Sequence, residues 1–414
     1  MAIFHAFRAL RPTAEEAAAV AALPYDVVNR EEARHIGEQN PKSFLHIDRA
    51  EMDLEKEIDL YDERVYRKAK ENLIKMEEDG ILVQDEKPCF YIYELTRRDK
   101  TQTGIVGCNS IDDYLNGVVK KHELTREDKE LDRIRHVDAC NANTGPIFLA
   151  CRYTDNLTLL IKNWKEDHLP VYDFTAEDEI RHRVWVIDDE EITDRIHNEF
   201  ETISSIYIAD GHHRAASAVK VGLQRRKENP DYTGKEEFNF FLSVVFPYEE
   251  LVILPYNRVV KDLHGMTVKA FLGALKFNYE LMLMPGFPCK PVEKHCMGLY
   301  VEGDWYHLKA WPDIYEKKDR VGQLDVSILQ DKVLAPILKI TDPRTDERIL
   351  FVGGNHKSSE LARIADETGG AAFVMYPTSM EDLMAIADEN KLMPPKSTWF
   401  EPKLRSGLFI HKLS

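Results

Sequence analysis

Residues 204–219 read SSIYIADGHHRAASAV, and the character of the sequence changes in the middle of this stretch. The apolar run 206–208 consists of β-formers and predicts a short buried strand. The alanine-rich run that follows Arg214 predicts a closely packed helix. The residues between them, 210–214, read DGHHR, so the stretch predicts a strand that turns through a glycine into a helix.

Such a turn is a favourable place for an anion. The first backbone N–H groups of a helix have no intrahelical acceptor, and the positive end of the helix dipole lies beside them. Phosphate groups commonly bind there. Gly211, His212, His213 and Arg214 are therefore predicted to contact a phosphate. The alternative is structural, with Asp210 as the N-cap of the helix and both histidines in solvent.

Composition limits the class of protein. The chain has 414 residues, of which 43% are hydrophobic, and this length predicts two or three domains. Its net charge of −17 disfavours nucleic acid as a partner, because phosphates would be repelled. Its six cysteines form no Cys-x-x-Cys pair, which argues against a zinc ribbon or a disulfide scaffold and favours a cytoplasmic protein. No apolar run is long enough for a membrane span, and the N-terminus lacks the pattern of a signal peptide.

A second polar segment follows the predicted strand end at Val118-Val119. It reads KKHE over residues 120–123 and leads into a charged run that predicts a solvated helix. A carboxylate beside cationic groups keeps its charge, so Glu123 is a candidate general base. Surface salt bridges are the alternative for this segment.

Two further candidates lie near the ends of the chain. Asp26 follows a proline turn, where it either caps a helix beginning near Arg30 or points toward a site. Lys396, Lys403 and Arg405 are three cations close to the C-terminus, and they either face the turn at 210–214 or pair with acidic neighbours. Lys396 is followed by Ser-Thr, but the glycines of a Walker loop are absent.

The remaining patterns predict an α+β fold. Residues 89–95 and 101–106 are expected to form a hairpin, and residues 40–48 a turn into a strand. Long helices are expected over residues 54–79 and 325–338. We predict three parts, which are a catalytic domain over 1–240, a β-rich insert over 241–322, and a C-terminal α/β segment over 323–414 that closes on the first.

Six motifs occur in an order that resembles the domain-of-unknown-function family ten-fifteen across nearly the whole chain. They are PYDV at 24–27, KKHE with TR at 120–126, ADGHHR at 209–214, LDVS at 324–327, FVGG at 351–354 and MPPKSTWF at 393–400. The turn at 210–214 is also similar to the phosphate-binding turn of the ParB/sulfiredoxin superfamily, which includes free serine kinases. The resemblance implies a ParB/sulfiredoxin-like mixed-sheet domain that binds nucleotide.

The resemblance also implies an activity. Sulfiredoxins carry a catalytic cysteine where His212 stands here, and the basic helix-turn-helix of ParB proteins is absent, so the kinases remain. A free serine kinase would transfer a phosphoryl group from ATP or ADP, with Mg²⁺, to the hydroxyl of L-serine. The alternative is a nucleotide-sensing regulator without turnover, which needs the phosphate site but no base. A homodimer is compatible with both functions.

The same resemblance suggests roles for individual residues. Glu123 best matches the base of the kinases, and His122 and Asp210 complete the expected catalytic set. Lys121 and Lys396 are expected to bind nucleotide together with the turn residues 211–214. Asp210 and Asp26 are the candidates for holding Mg²⁺ through water.

Overall fold

The computed structural model describes all 414 residues, and its contacts divide the chain into two compact units. Unit 1 comprises Met1–Lys121, Thr125–Leu251 and Pro402–Ser414, and unit 2 comprises His122–Leu124 and Val252–Glu401. These bounds differ from those of the three parts predicted from the sequence, and the functional roles given to those parts stay predictions. The helices are too short or too polar to cross a membrane.

Unit 1 contains strands β1–β12 and β21 and helices α1–α9. Its strands are β1 (Phe4–His5), β2 (Leu10–Pro12), β3 (Leu82–Gln84), β4 (Phe90–Arg97), β5 (Lys100–Ser110), β6 (Val119–Lys120), β7 (Ala142–Asn143), β8 (Ile147–Cys151), β9 (Tyr172–Thr175), β10 (Arg181–Ile187), β11 (Ile206–Asp210), β12 (Phe240–Pro247) and β21 (His411–Lys412). Its helices are α1 (Ala17–Val20), α2 (Arg30–Gln39), α3 (Leu45–Asp48), α4 (Glu63–Glu78), α5 (Ile111–Leu115), α6 (Glu127–Cys140), α7 (Asp155–Asp167), α8 (Glu190–Thr202) and α9 (His212–Glu228).

Most of these strands form one nine-stranded mixed sheet. Its order is β6-β11-β8-β12-β5-β4-β10-β9, and β1 pairs with β5 beside that path. The pairs β11–β6 and β12–β8 are parallel, whereas the other pairs are antiparallel. The predicted hairpin is confirmed as β4–β5, with Tyr91 opposite Val106. A mixed α+β fold is therefore correct, and its ParB/sulfiredoxin-like classification stays a prediction.

Helix α9 packs closely because its inner face is small. Ala215 and Ala218 are buried in the same core cluster as Ile206 and Ile208 of β11. Further along the helix, a Cβ atom at Gly222 would lie 2.4 Å from the carbonyl oxygen of Phe238, so only glycine allows this approach. The strand and the helix on either side of the turn are consequently held by the core of unit 1.

Unit 2 contains strands β13–β20 and helices α10–α13. They are β13 (Val252–Leu254), β14 (Tyr256–Val260), α10 (Val268–Leu275), β15 (Tyr279–Leu283), β16 (Cys296–Val301), β17 (Asp304–Ala310), α11 (Asp325–Leu329), β18 (Ile349–Gly353), α12 (Ser358–Thr368), β19 (Ala371–Val374), α13 (Met380–Asp388) and β20 (Trp399–Glu401). Six strands form an antiparallel sheet in the order β15-β17-β16-β19-β14-β18, and β13 pairs with β20.

One local prediction near the N-terminus is wrong, and one of the two alternatives for Asp26 is excluded. Residues 45–48 form helix α3 rather than a strand, since the Ser43 hydroxyl accepts the N–H of Leu45 at 3.3 Å. Asp26 caps no helix, because Asn29 is the N-cap of α2 and forms a capping box with Glu32.

Two predicted helices have the wrong extent. The helix expected from residue 54 begins only at Glu63, where Asp62 caps it by accepting the N–H of Arg64 at 2.9 Å. The helix expected over 325–338 is α11 followed by a π-helical turn at Gln330–Leu334. Periodicity indicates where apolar residues recur, but it does not indicate where capping or a widened turn interrupts the helix.

Candidate functional site

The stretch 206–214 forms the predicted strand, turn and helix in unit 1. Strand β11 ends at Asp210, Gly211 adopts the left-handed conformation with φ 93° and ψ 31°, and α9 begins at His212, two residues before the predicted start. Gly211 is the N-cap, so Asp210 as a cap is wrong, and no side chain caps this 17-residue helix. A left-handed conformation favours glycine because a Cβ atom would crowd the backbone.

The sheet topology brings other segments to this turn. Strand β6 runs parallel to β11, with Lys120 opposite Tyr207, so the carboxyl ends of both strands lie at one edge. Strand β8 is antiparallel to β11 and pairs Phe148 with Asp210. The loop 144–146 that precedes β8 therefore lies at the same edge. We call this edge, with residues 210–214 and 144–146, the β11–α9 corner.

Asp210 has hydrogen-bond partners on both oxygens. Its Oδ1 accepts the N–H of Gly211 at 2.8 Å, and its Oδ2 accepts the ammonium of Lys403 at 2.8 Å. Burial raises the pKa of the carboxyl, but Lys403 and Arg214 outweigh burial and hold the pKa well below its ordinary value. Asp210 is consequently ionised at neutral pH, and a cation from the C-terminal segment neutralises it.

Arg214 is held against the backbone of the corner. Its Nη1 donates a hydrogen bond to the carbonyl of Pro146. The guanidinium lies so close to Gly211 that a Cβ atom there would be 3.1 Å from Nε and 3.2 Å from Cζ. A Cβ atom at Gly145 would likewise lie 3.7 Å from Nη1. Gly211 therefore makes room for this cation, whereas a Cβ atom at Gly145 would be in ordinary van der Waals contact with it.

The two histidines of the turn have different surroundings. His213 accepts the backbone N–H of Arg126 at its Nε2 atom, at 3.0 Å, so a neutral ring carries its proton on Nδ1. The carbonyl of His213 accepts the hydroxyl of Ser217 at 2.6 Å. His212 is buried, at 8% exposure. The structural alternative, in which both histidines lie in solvent, is therefore wrong for His212.

A narrow cavity of about 20 Å³ adjoins the corner within unit 1. Arg214, Arg133, Tyr25, Asp48 and Thr144 are among its lining residues. The guanidinium carbon of Arg133 lies 4.1 Å from the Tyr25 ring centroid, and the Thr144 hydroxyl donates to Asp48 at 2.8 Å. Two guanidinium groups, those of Arg214 and Arg133, therefore border this cavity.

The C-terminal segment carries a second anchor beyond Lys403. Arg405 donates to Asp178 at 2.6 Å and to Nε2 of His182 at 3.3 Å, while Tyr93 lies 2.8 Å from Nδ1 of the same histidine. Burial, together with Arg405, lowers the pKa of His182 to about 3, so this ring is neutral. Sequence reasoning identified Lys403 and Arg405 as cations of the tail, but it missed Asp178 and His182 because no local pattern marks them.

The roles of the other predicted site residues stay predictions. Lys121 is exposed, with its ammonium 4.5 Å from the Tyr114 ring centroid, and Asp26 is exposed on its turn. His122 and Glu123 belong to the short segment of unit 2 that follows β6. Lys396 also lies in unit 2, where its carbonyl accepts a hydrogen bond from Arg258 at 3.0 Å.

Several solved structures resemble the fold at low similarity. A free serine kinase in complex with AMP is 13% identical with a TM-score of 0.36, and the match covers 72% of this chain and 86% of that chain. A conserved hypothetical protein from Pyrococcus furiosus is 14% identical with a TM-score of 0.37, covering 74% and 94%. SbnI with a C-terminal truncation, from Staphylococcus aureus, is 11% identical with a TM-score of 0.38, covering 73% and 85%. At similarities this low, these neighbours carry no argument about chemistry.

The sequence was also compared with curated proteins and with protein-family models. No curated protein matches the chain. The model of the family described as "Protein of unknown function (DUF1015)" matches residues 4–327, which is well over half of the chain. This chain therefore belongs to that family.

Proposed function

We propose that this protein is a small-molecule kinase that binds the phosphates of ATP or ADP at the β11–α9 corner. It transfers a phosphoryl group to the hydroxyl of a small acceptor, and free L-serine is the expected acceptor. The observation that supports the proposal best is the corner itself. A long helix begins there at a glycine N-cap without a side-chain cap, and Lys403 and Arg214 together outweigh the ionised Asp210 by one positive charge at the same place.

The electrostatics of the corner suit a phosphate. The N-terminus of a helix stabilises an anion by about 0.3–1 kcal/mol at an exposed site, and charge-assisted hydrogen bonds from lysine and arginine add to that. Arg214 uses one of its five donors on the Pro146 carbonyl, which leaves others to meet a phosphate oxygen. Lys403 pairs with Asp210 through a flexible stem, so a nucleotide phosphate competes directly for this ammonium.

The same contacts limit how Asp210 handles Mg²⁺. Magnesium prefers carboxylate oxygens and usually keeps several waters. Both oxygens of Asp210 already accept hydrogen bonds, one of them from an ammonium. We infer that Asp210 contacts the magnesium of a bound nucleotide through water, after Lys403 has turned to the phosphate. Mg²⁺ neutralises charge on the transferred group in such reactions.

The position of Glu123 in the chain supports its proposed role as the base. Strand β6 ends at Lys120 beside β11, so Glu123 follows the sheet edge by three residues. The chain returns to unit 1 at Thr125, and the next residue, Arg126, donates its N–H to His213. The unit 1 residues Lys120 and Arg126, which flank this segment in the chain, therefore lie near the corner. Glu123, three residues after Lys120, is the carboxylate proposed to accept the proton of the acceptor hydroxyl.

Mass spectrometry of a reaction with an amino-acid mixture tests the proposal. The protein is incubated with ATP or ADP, Mg²⁺ and the mixture, and phosphoserine is the expected product. Arg214→Ala should weaken nucleotide binding about tenfold or more, since a charge-assisted hydrogen bond is lost. Nucleotide binding without any phosphorylated product would favour a nucleotide-sensing regulator, and no nucleotide binding would refute both functions.

A further inference from the structure

Unit 2 contains buried polar atoms without hydrogen-bond partners near Asp325. They are Oδ1 of Asp325, the hydroxyl of Tyr279 and the hydroxyl of Ser327. The three residues are 7%, 1% and 5% exposed. A buried polar group without a partner has lost its hydrogen bonds to water without replacing them, so most such groups in folded proteins are paired. Asp325 and Ser327 belong to the LDVS motif, which the proposed kinase activity does not use.

The backbone around Asp325 is unusual in two places. Helix α11 begins at Asp325 and passes into the π-helical turn at Gln330–Leu334. His295, whose backbone N–H is hydrogen-bonded to the Asp325 carboxyl, has a φ of 64° although it is not a glycine. Isolated π-helical turns and left-handed non-glycine residues both occur often at functional sites.

Asp325 lines a small cavity of about 10 Å³ within unit 2. Lys294, Tyr376, Thr378 and Asp382 are among the other lining residues. The ammonium of Lys294 lies 2.6 Å from a carboxylate oxygen of Asp382, so their charges cancel. When Asp325 is ionised, the cavity therefore carries one net negative charge from these residues. That charge matches a single monovalent cation.

The ionisation of Asp325 is sensitive to such a cation. Burial raises the pKa of Asp325 to about 7, and the His295 N–H and Lys294 oppose this only in part. A bound cation would favour the ionised form, so binding at lower pH requires release of a proton. The titratable or charged groups that interact with Asp325 are Lys294, His295, Tyr279, Tyr315, Cys296 and Asp382.

We propose that this cavity binds the primary ammonium group of a small amine, with Oδ1 of Asp325 as its principal acceptor. An –NH₃⁺ group is about the size of a water molecule, which the cavity can hold. A divalent metal fits less well, because no three metal-ligating side chains converge around Asp325. An anion fits poorly, because the only cation of the lining, Lys294, is already paired with Asp382.

Titration calorimetry of the full chain with ethylammonium chloride tests the proposal. Tetramethylammonium chloride is the control ligand, since it carries the same charge and has no N–H donor. We expect saturable binding of ethylammonium alone. Its affinity should be about tenfold higher near pH 8 than near pH 6, because the ionised fraction of a group with a pKa of about 7 changes by that factor. Buffers with different ionisation enthalpies should report proton release near pH 6.

Matched variants locate the site. Asp325→Asn should weaken ethylammonium binding at least tenfold and abolish the proton release, whereas Asp313→Asn, at an exposed position of unit 2, should bind as the parent does. Equal binding of both ligands, a pH-independent affinity, or full binding by Asp325→Asn would each overturn the proposal. The pH dependence of the parent protein decides the question even if Asp325→Asn fails to fold.

Discussion

Replacement of Gly211 by alanine tests how the β11–α9 corner is built. Gly211 has a φ of 93°, and an L residue in a left-handed conformation costs roughly 1–2 kcal/mol. The new Cβ atom would also lie 3.1 Å from Nε and 3.2 Å from Nη2 of Arg214, which is tighter than ordinary contact. The guanidinium must therefore shift and weaken its hydrogen bond to Pro146.

Gly234 provides the matched control for this change. It also lies in unit 1 and has a φ of 88°, but nothing lies within 4 Å of the position of its Cβ atom. Gly234→Ala therefore carries the backbone cost alone, about 1–2 kcal/mol. Gly211→Ala adds the displaced guanidinium hydrogen bond, so its total cost should be about 3 kcal/mol.

Two assays read out the difference between Gly211→Ala and Gly234→Ala. Thermal unfolding should show a Tm loss of about 3–4 °C for Gly211→Ala and roughly half of that for Gly234→Ala, because an unfolding entropy of about 2.1 cal/mol/K per residue amounts to about 0.9 kcal/mol/K for 414 residues. Nucleotide affinity should fall about tenfold in Gly211→Ala and stay at the parent value in Gly234→Ala, since only the first variant moves a charged phosphate donor. Equal affinities in the two variants would refute the reasoning that Arg214 depends on the space above Gly211.

Three further predictions concern ionisable groups. Lys403→Met removes the cation that lowers the pKa of Asp210. A lowered carboxyl pKa stabilises the fold fully only at a pH above the ordinary carboxyl pKa, so the difference in Tm between parent and variant should be largest at neutral pH and should narrow below about pH 4. A difference in Tm that is constant with pH would contradict this. Glu123→Gln should reduce turnover by roughly 10²–10⁴-fold, while its nucleotide affinity stays within a few-fold of the parent. The control Glu127→Gln, at the exposed start of α6, should turn over as the parent does. Parent-like turnover of Glu123→Gln would exclude Glu123 as the base. His182 has a pKa of about 3 in the folded protein, so between about pH 6.5 and pH 3 only the unfolded chain takes up a proton there, and the unfolding free energy should decrease as pH falls. In His182→Phe, the unfolding free energy measured by denaturant should change with pH less steeply, by up to about 1.4 kcal/mol per pH unit. An unchanged pH dependence would show that the folded protein also takes up this proton.

Asp210 shows which features of the site could be predicted from the local sequence and which depend on tertiary contacts. The change from β-formers to alanine around Asp210-Gly211 correctly predicted a strand, a glycine turn and a helix, because each element depends on residues only a few positions apart. Whether Asp210 caps that helix could not be read from the same residues. Gly211 takes the N-cap position, and Asp210 instead pairs with Lys403, 193 residues away in the chain.

The sequence by itself determined the local elements of the corner, the hairpin β4–β5 and the acidic, mixed α+β character of the chain, since propensity, periodicity and composition act over short distances. Only the tertiary structure decided which distant groups meet, namely Lys403 with Asp210 and Arg405 with His182. It also decided that burial raises the pKa of Asp325, which no spacing of residues in the LDVS motif indicates. The physical reason is that ion pairing and desolvation depend on the packing of segments far apart in the chain, which the order of residues along one segment does not specify.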